Sequence, residues 1–236
     1  MVKESLGIIC ARGGSKRIPK KNIIDFFDKP LIAWTIQAAL ESRVFDRLIV
    51  STDDEEIASI SRKYGAEVPF LRHNHADNHA TISMVVTDVI ETIDRELDES
   101  YRYVTHLMPN CPIRNSQDII NSYSHFIAKD LSFQISCFEY GWMNPWWAFR
   151  IGDSGVVSAL HPEGITTRSQ DLEKLFCPTG AIWMAKTSEL LDSGNFYGPD
   201  FKLFPISWQS AVDIDNYEDL EMAKAVFLLQ NAERHG

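Results

Sequence analysis

Two glycines and five basic side chains crowd one short stretch of this chain. The stretch is Cys10–Asn22, CARGGSKRIPKKN, in which Arg12, Lys16, Arg17, Lys20 and Lys21 surround Gly13 and Gly14. Such a set suits an anion. Glycines let backbone N–H groups turn toward negative charge, and arginine and lysine add charge and hydrogen bonds. A triphosphate would be well held here. The order of residues is neither GxxxxGK[ST] nor GxGxxG, so neither the Walker loop nor the dinucleotide fingerprint applies. The composition also allows a solvated basic loop that offsets an acidic surface.

The second candidate group is acidic and lies near the other end of the chain. Asp213 and Asp215, in VDIDN, stand two residues apart. At a strand end that spacing aims both carboxylates the same way, and a pair of carboxylates with phosphate oxygens and waters suits Mg²⁺. Asp215 is also placed to cap a following helix, YEDLEMAKAVF. His73, His75 and His79 flank no other ligand cluster, so a zinc site is not expected.

The elements that position these groups can be read from apolar periodicity. Leu6–Cys10 reads as a buried strand feeding the basic loop. Pro30–Ser42 reads as a helix with proline in its first turn, Arg47–Ser51 as a strand, and Asp53–Tyr64 as an amphipathic helix closed by Gly65. Glu67–Leu71 follows as a short strand, Thr81–Leu97 as a long helix and Tyr103–Leu107 as a strand. Ser116–Lys129 is a helix, Phe133–Cys137 and Gly180–Ala185 are strands, and Asp215–Asn231 closes the chain as a helix. Alternating strands and helices predict an α/β fold, a mostly parallel sheet with helices on both faces. Ligands of such sheets sit beyond the carboxyl ends of the strands. Tyr140–Leu175 breaks the rhythm and reads as an excursion within one domain spanning residues 1–236. Its Trp142, Trp146 and Trp147 suit a dimer seam or plain core better than sugar stacking.

Composition narrows the function further. A formal net charge of -10 argues against a general nucleic-acid binder, although a local basic loop can still hold a small anion. Cys10, Cys111, Cys137 and Cys177 show no CxxC spacing and suit a reducing compartment. There is no signal-peptide pattern and no apolar run long enough for a membrane span, so a cytoplasmic protein with no membrane partner is expected.

Taken together, ARGGSKRIPKKN, KPLIAWTI, RLIVSTDDEEIA, ADNHATIS, MPNCPIRNSQDI, TRSQDL, PTGAIWMA and AVDIDNYEDLEMA run in order along nearly the whole chain. This succession resembles the N-acylneuraminate cytidylyltransferases, including the pseudaminic and legionaminic acid cytidylyltransferases. The resemblance implies a Rossmann-like fold of the nucleotide-diphospho-sugar transferase type, with residues 140–175 reaching a partner subunit in a homodimer. It implies transfer of CMP from CTP to an acidic nine-carbon sugar, with Mg²⁺ (or Mn²⁺ in its place) held by Asp213 and Asp215. By the same resemblance Arg12, Gly13, Ser15 and Lys16 belong to the nucleotide, and Asn22 to its ribose. Arg72 and Ala80, within or beside the Ala76–Thr81 loop, belong to the base. Lys21, Arg12 and Asp215 are the implied catalytic residues, and Arg168, Gln170 and Asn110 the implied sugar contacts. Departures from the family pattern are Ser169, where a second arginine is common, and Met108 and Asn110, where glutamine and threonine are usual. The remaining alternatives are another sugar nucleotidyltransferase, such as a CMP-Kdo synthetase, and a non-catalytic nucleotide-binding module.

Overall fold

The buried run Leu6–Cys10 ends a longer strand, β1 (Val2–Cys10), which lies one strand in from the edge of the sheet. The computed structural model describes residues 2–74 and 80–235. His75, His79 and most of the Ala76–Thr81 loop lie outside the described residues.

β1 pairs in parallel with β2 (Arg47–Ser51) on one side and β3 (Ser100–Leu107) on the other. Beyond β3 come β7 (Phe176–Lys186), β4 (Phe133–Glu139) and β8 (Lys202–Pro205), giving the order β2-β1-β3-β7-β4-β8. β7 runs antiparallel to both β3 and β4, whereas β4 and β8 are parallel. The sheet is therefore mostly parallel, as its alternation with helices predicts.

Helices cover both faces. α1 (Leu31–Ser42), α2 (Glu55–Lys63) and α4 (Ser116–Ala128) bury Ile32, Ile36, Ile57, Ile119 and Phe126 against one face. α3 (Ile82–Leu97) and α6 (Thr187–Ser193) bury Val86, Val89, Ile93 and Leu190 against the other. A third cluster joins Ile18 of the basic loop to Phe26, Val212, Ile214 and, from α7 (Tyr217–His235), Ala223 and Val226. This cluster brings the two ends of the chain together, because burying its isoleucine, valine and phenylalanine side chains is favourable by roughly 1.5–3 kcal/mol each.

Residues 140–175 lie outside the six-stranded sheet, between β4 and β7. A 3-10 turn at Pro145–Trp147 leads into a separate hairpin of β5 (Phe149–Ile151) and β6 (Val157–Ala159), then the short α5 (Pro162–Thr166).

Three expectations are corrected. Glu67–Leu71 is not a strand: Glu67 makes a single parallel bridge to Ile49, and Pro69 then lacks the N–H a longer ladder needs. β8 and α6 carry no strong periodic signal, being four and seven residues long, and were not expected. Asp213 and Asp215 do not end a strand; they lie in irregular chain between β8 and α7. The Ile214 N–H there bonds Asn110 O at 2.9 Å, fastening the segment beyond the end of β3.

Candidate active site

The basic loop is shaped by contacts that begin where β1 stops. The Ala11 N–H donates to Ser51 O, and the Gly13 N–H donates to Asp53 Oδ1 at 2.9 Å. A β-carbon at Gly13 would lie 2.6 Å from Asp54 Oδ2, so only glycine lets the loop approach so closely. Asp54 is itself committed to capping α2, accepting from the Glu56 and Ile57 N–H groups. Gly13 thus shapes the loop and does not line the cavity described next.

A cavity of about 530 Å³ opens at the carboxyl ends of β1 and β3. Arg12, Ser15, Lys16, Arg17, Lys21 and Asn22 line it from the loop, and Arg72, Ala80, Met108, Asn110 and Asp215 from elsewhere. Lys20 has a left-handed backbone (φ 52°) that turns the chain into a 3-10 turn at Lys21–Ile23. This separates the two adjacent lysines. Lys20 pairs outward with Glu56, whereas Lys21, largely buried, points at Asp215.

Asp215 is the meeting point of the two chain ends. Its Oδ1 lies 2.7 Å from Lys21 Nζ and its Oδ2 lies 2.6 Å from Arg17 Nη2. Asn110 Nδ2 donates to Ile214 O at 2.9 Å and reaches Asp215 Oδ1 at 3.4 Å. The helix cap falls to a neighbour. Asn216 Oδ1 accepts from the Asp219 N–H, and Asp219 Oδ2 accepts from the Asn216 and Asp215 N–H groups. The Asp215 side chain is therefore left to the cavity.

The two aspartates titrate in opposite directions. Asp213 is exposed overall, yet burial of part of its side chain, and then the charges of Asp215 and Asp219, hold its carboxyl above the usual range. Partial burial pushes Asp215 the same way, but the hydrogen bond and charge of Lys21, together with Arg17, outweigh it and hold its carboxyl below the usual range. Among the described residues no group of three or more His, Cys, Asp and Glu side chains could hold a metal. A divalent ion here would rest on Asp213 and Asp215, with phosphate oxygens and waters completing its shell, an arrangement Mg²⁺ accepts.

Two buried polar groups have unused hydrogen-bonding capacity at the cavity wall. Asn22 donates from Nδ2 to Arg12 O, but its Oδ1 has no partner. Arg72 is 6% exposed; its Nη1 meets Ser51 Oγ at 3.4 Å, its Nη2 lies 3.8 Å from Asp53 Oδ1, and its Nε has no partner. Buried groups of this kind usually find partners, so a bound ligand would complete them. Cys10 also lines the cavity, but burial pushes its thiol up to about 12, against the pull of Arg72, which leaves it neutral and unreactive.

The remaining candidates separate. Asn110 is at the cavity, whereas Arg168 and Gln170 are exposed on the excursion and do not line it. Arg168 Nε instead pairs with Asp171 Oδ2 at 2.7 Å. Asp213 neighbours the lining without belonging to it. Sequence reasoning counted Arg17 among the loop cations suited to an anion but gave it no role of its own, and gave none to Arg114, which it met only inside the MPNCPIRNSQDI stretch. Arg114 is fully buried and donates to Met108 O, Ala181 O (2.6 Å) and Thr35 Oγ1 (2.7 Å). It holds the chain that follows β3 in position beneath the cavity.

Comparison with known proteins adds a family to this geometry. A family model described as Cytidylyltransferase matches residues 6–105. The pseudaminic acid cytidylyltransferase of Campylobacter jejuni subsp. jejuni serotype O:2 is 36% identical over 227 residues, covering 95% of this chain and 96% of the relative. The N-acylneuraminate cytidylyltransferase of Escherichia coli O18:K1:H7 is 26% identical over 229 residues, covering 97% of this chain and 53% of that longer protein. Among solved structures, a CMP:2-keto-3-deoxy-manno-octonic acid synthetase complexed with CTP superposes with a TM-score of 0.73 at 15% identity, covering 97% of this chain and 100% of that one. At that identity the likeness speaks for the fold alone.

Proposed function

We infer the reaction from a premise that the full-length match supplies: this chain belongs to the cytidylyltransferase family. It transfers CMP from CTP to the anomeric hydroxyl of a nonulosonic acid and releases pyrophosphate. The acceptor we favour is of the pseudaminic acid kind. Identity of 36% to a pseudaminic acid enzyme, against 26% to an N-acylneuraminate enzyme, supports it.

The observation that carries the reading is the convergence of Lys21 and Arg17 on Asp215 at the mouth of the basic loop. In this reading the triphosphate of CTP takes over Lys21 and Arg17, since a polyanion attracts both more strongly than one carboxylate does. Arg12, Ser15 and Lys16 complete the phosphate grip. Lys21 stabilises charge that builds on the α-phosphate as the sugar oxygen attacks, the kind of fixed electrostatic support that speeds phosphoryl and nucleotidyl transfer. Asn22 Oδ1 takes a ribose hydroxyl, and Arg72 donates to the acceptor edge of cytosine.

Freed from Lys21 and Arg17, Asp215 joins Asp213 in holding Mg²⁺, for which Mn²⁺ can substitute. The fit rests on hard oxygen donors and on the mutual repulsion of Asp213, Asp215 and Asp219, which a divalent ion relieves. When bound, the ion supplies neutralisation of phosphate charge.

Arg168 and Gln170 act on the sugar across a homodimer in this reading. Support comes from the excursion's solvent-facing apolar side chains, among them Trp142 (82% exposed), Ile151 (74%) and Val156 (67%), a concentration unusual for a monomer's surface. Among the described residues no helix is long and apolar enough to cross a membrane. A cytoplasmic setting, where CTP is available, fits the free cysteines.

The test is direct. The protein is incubated with CTP, Mg²⁺ and pseudaminic, legionaminic, N-acetylneuraminic or Kdo acid, and the product is identified by mass. A CMP-nonulosonate with pyrophosphate release supports the reading; pyrophosphate release with none of the nonulosonic acids overturns it.

A further inference from the structure

The cavity has two ends, and the sheet order tells them apart. At one end Arg72 is tied to the β2 side, its N–H donating to Thr52 O at 2.8 Å. The apolar lining there, Cys10, Ala80, Ile82 and Val85, belongs to the cluster beneath α3. At the other end Met108 leaves β3 on the side of β7 and packs against the opposite cluster. With the base at Arg72 and the triphosphate on the loop between, the acceptor sugar approaches from the Met108 end.

Met108 occupies a seat made for it. Its N–H donates to Gly180 O at 3.3 Å, and its carbonyl accepts from Arg114 and Thr35. Gly180, in β7, has no side chain, and the thioether lies in the space one would fill. A β-carbon there would be 2.1 Å from Met108 Sδ and 2.7 Å from its Cε. The backbone of Met108 is held from below, so a side chain forced off Gly180 swings into the cavity.

We propose that Met108, seated over Gly180, is a specificity-determining residue for the acceptor, selecting a sugar that presents an apolar methyl carbon at this wall over one that presents a hydroxyl. The inference rests on the CMP-transfer reading above and deepens it. A thioether accepts hydrogen bonds only weakly and offers no donor, so a hydroxyl set against it loses its water without replacement. A methyl group makes dispersion contact with the same sulfur and loses nothing.

Steady-state kinetics on the full chain tests this with two acceptors, one ending in a deoxy methyl carbon and one ending in a hydroxymethyl group, each against CTP. The expected result is a kcat/KM preference of about 10-fold or more for the deoxy acceptor, and a shift of about 10-fold toward the hydroxylated one in Met108→Gln. Gly180→Ala should raise the KM for the acceptor at least several-fold while the KM for CTP moves less than twofold. The Met108→Ala/Gly180→Ala double variant should bring the acceptor KM back toward that of Met108→Ala alone. An unchanged acceptor ratio in Met108→Gln, or a CTP KM that rises in step with the acceptor KM, overturns the proposal. Should Gly180→Ala fail to fold, the Met108→Gln ratio decides alone. Absence of turnover with both acceptors, with CTP binding intact by calorimetry, refutes the transfer reading and the proposal with it, an outcome distinct from an unchanged ratio.

Discussion

The Lys21 ammonium sits 2.7 Å from Asp215 Oδ1, joining residues 194 apart in sequence, while its neighbour Lys20 turns outward to Glu56. The two lysines should therefore part company on mutation. Lys21→Gln should lower kcat by about 10²–10³-fold, the usual loss for one preorganised charge donor. Lys20→Gln should change it by less than about twofold, in line with the small worth of an exposed ion pair. Pyrophosphate release at saturating substrates reads both, and thermal melting shows that the fold survives.

Asp213 should behave as a residue kept at a cost to stability. Its carboxyl is held above the usual range by partial burial and by Asp215 and Asp219. The folded state thus favours its protonated form, and stability falls as pH rises through its folded value. Asp213→Asn should raise Tm at pH 7, a gain that disappears below about pH 4. The same change should remove the stabilisation that Mg²⁺ and CTP together give the parent protein. Melting curves with and without the two ligands check both effects.

His106 sets an acid limit. It is completely buried, with its ring edge-on to Trp183 at 5.8 Å. Neither ring nitrogen has a hydrogen-bond partner, although the Ile8 backbone lies close enough to favour a proton weakly. Burial, and then the Arg114 charge, push its pKa down to about 3. The unfolded chain takes up this proton near pH 6.5 and the folded one does not, so stability is full above that value and is lost as pH falls toward 3. The slope is at most about 1.4 kcal/mol per pH unit. His106→Leu should flatten urea-derived stability between pH 6.5 and 4.5. Loss at lower pH should remain, because Lys3 and Tyr101 hold Glu99 down to about 2 through hydrogen bonds.

Arg72 should govern nucleotide affinity more than chemistry. Arg72→Ala should raise the KM for CTP about 10–100-fold with a smaller change in kcat, since a lost bidentate donor is worth about 1.5–3 kcal/mol. Arg72→Lys should rescue little, because an ammonium cannot reproduce the planar fork of donors. Initial rates against CTP concentration separate the two parameters.

The hairpin should hold two copies together. Ile151 and Val157 are 74% and 58% exposed on β5 and β6. Ile151→Asp with Val157→Asp should convert a dimer to a monomer in sedimentation and depress activity, because Arg168 and Gln170 would then lose their access to the neighbouring cavity. A parent protein that sediments as a monomer would refute the proposed assembly.

Much of the scaffold is legible in the amino-acid sequence. β2 falls on Arg47–Ser51 as read, and α1, α3 and α4 fall within a residue of their expected ends. In these segments local propensity, caps and apolar period agree. The reading failed where a pattern was short or a partner distant. Glu67–Leu71 has strand composition, but Pro69 ends its pairing after one bridge. The VDID segment has strand spacing, but its backbone is taken up by Asn110, which donates to Ile214 O, and by Asp219, which accepts from the Asp215 N–H.

By itself, then, the amino-acid sequence determined the alternating elements, the clustering of cations after β1 and the family to which the chain belongs. These follow from residues close together along the chain, where periodicity and turn chemistry act. Only the tertiary structure decided that Lys21 rather than Lys20 meets Asp215, that Asn216 rather than Asp215 caps α7, and that Gly180 makes room for Met108. Each of those outcomes depends on which side chain occupies a given space once distant segments pack, and no local rule contains that information.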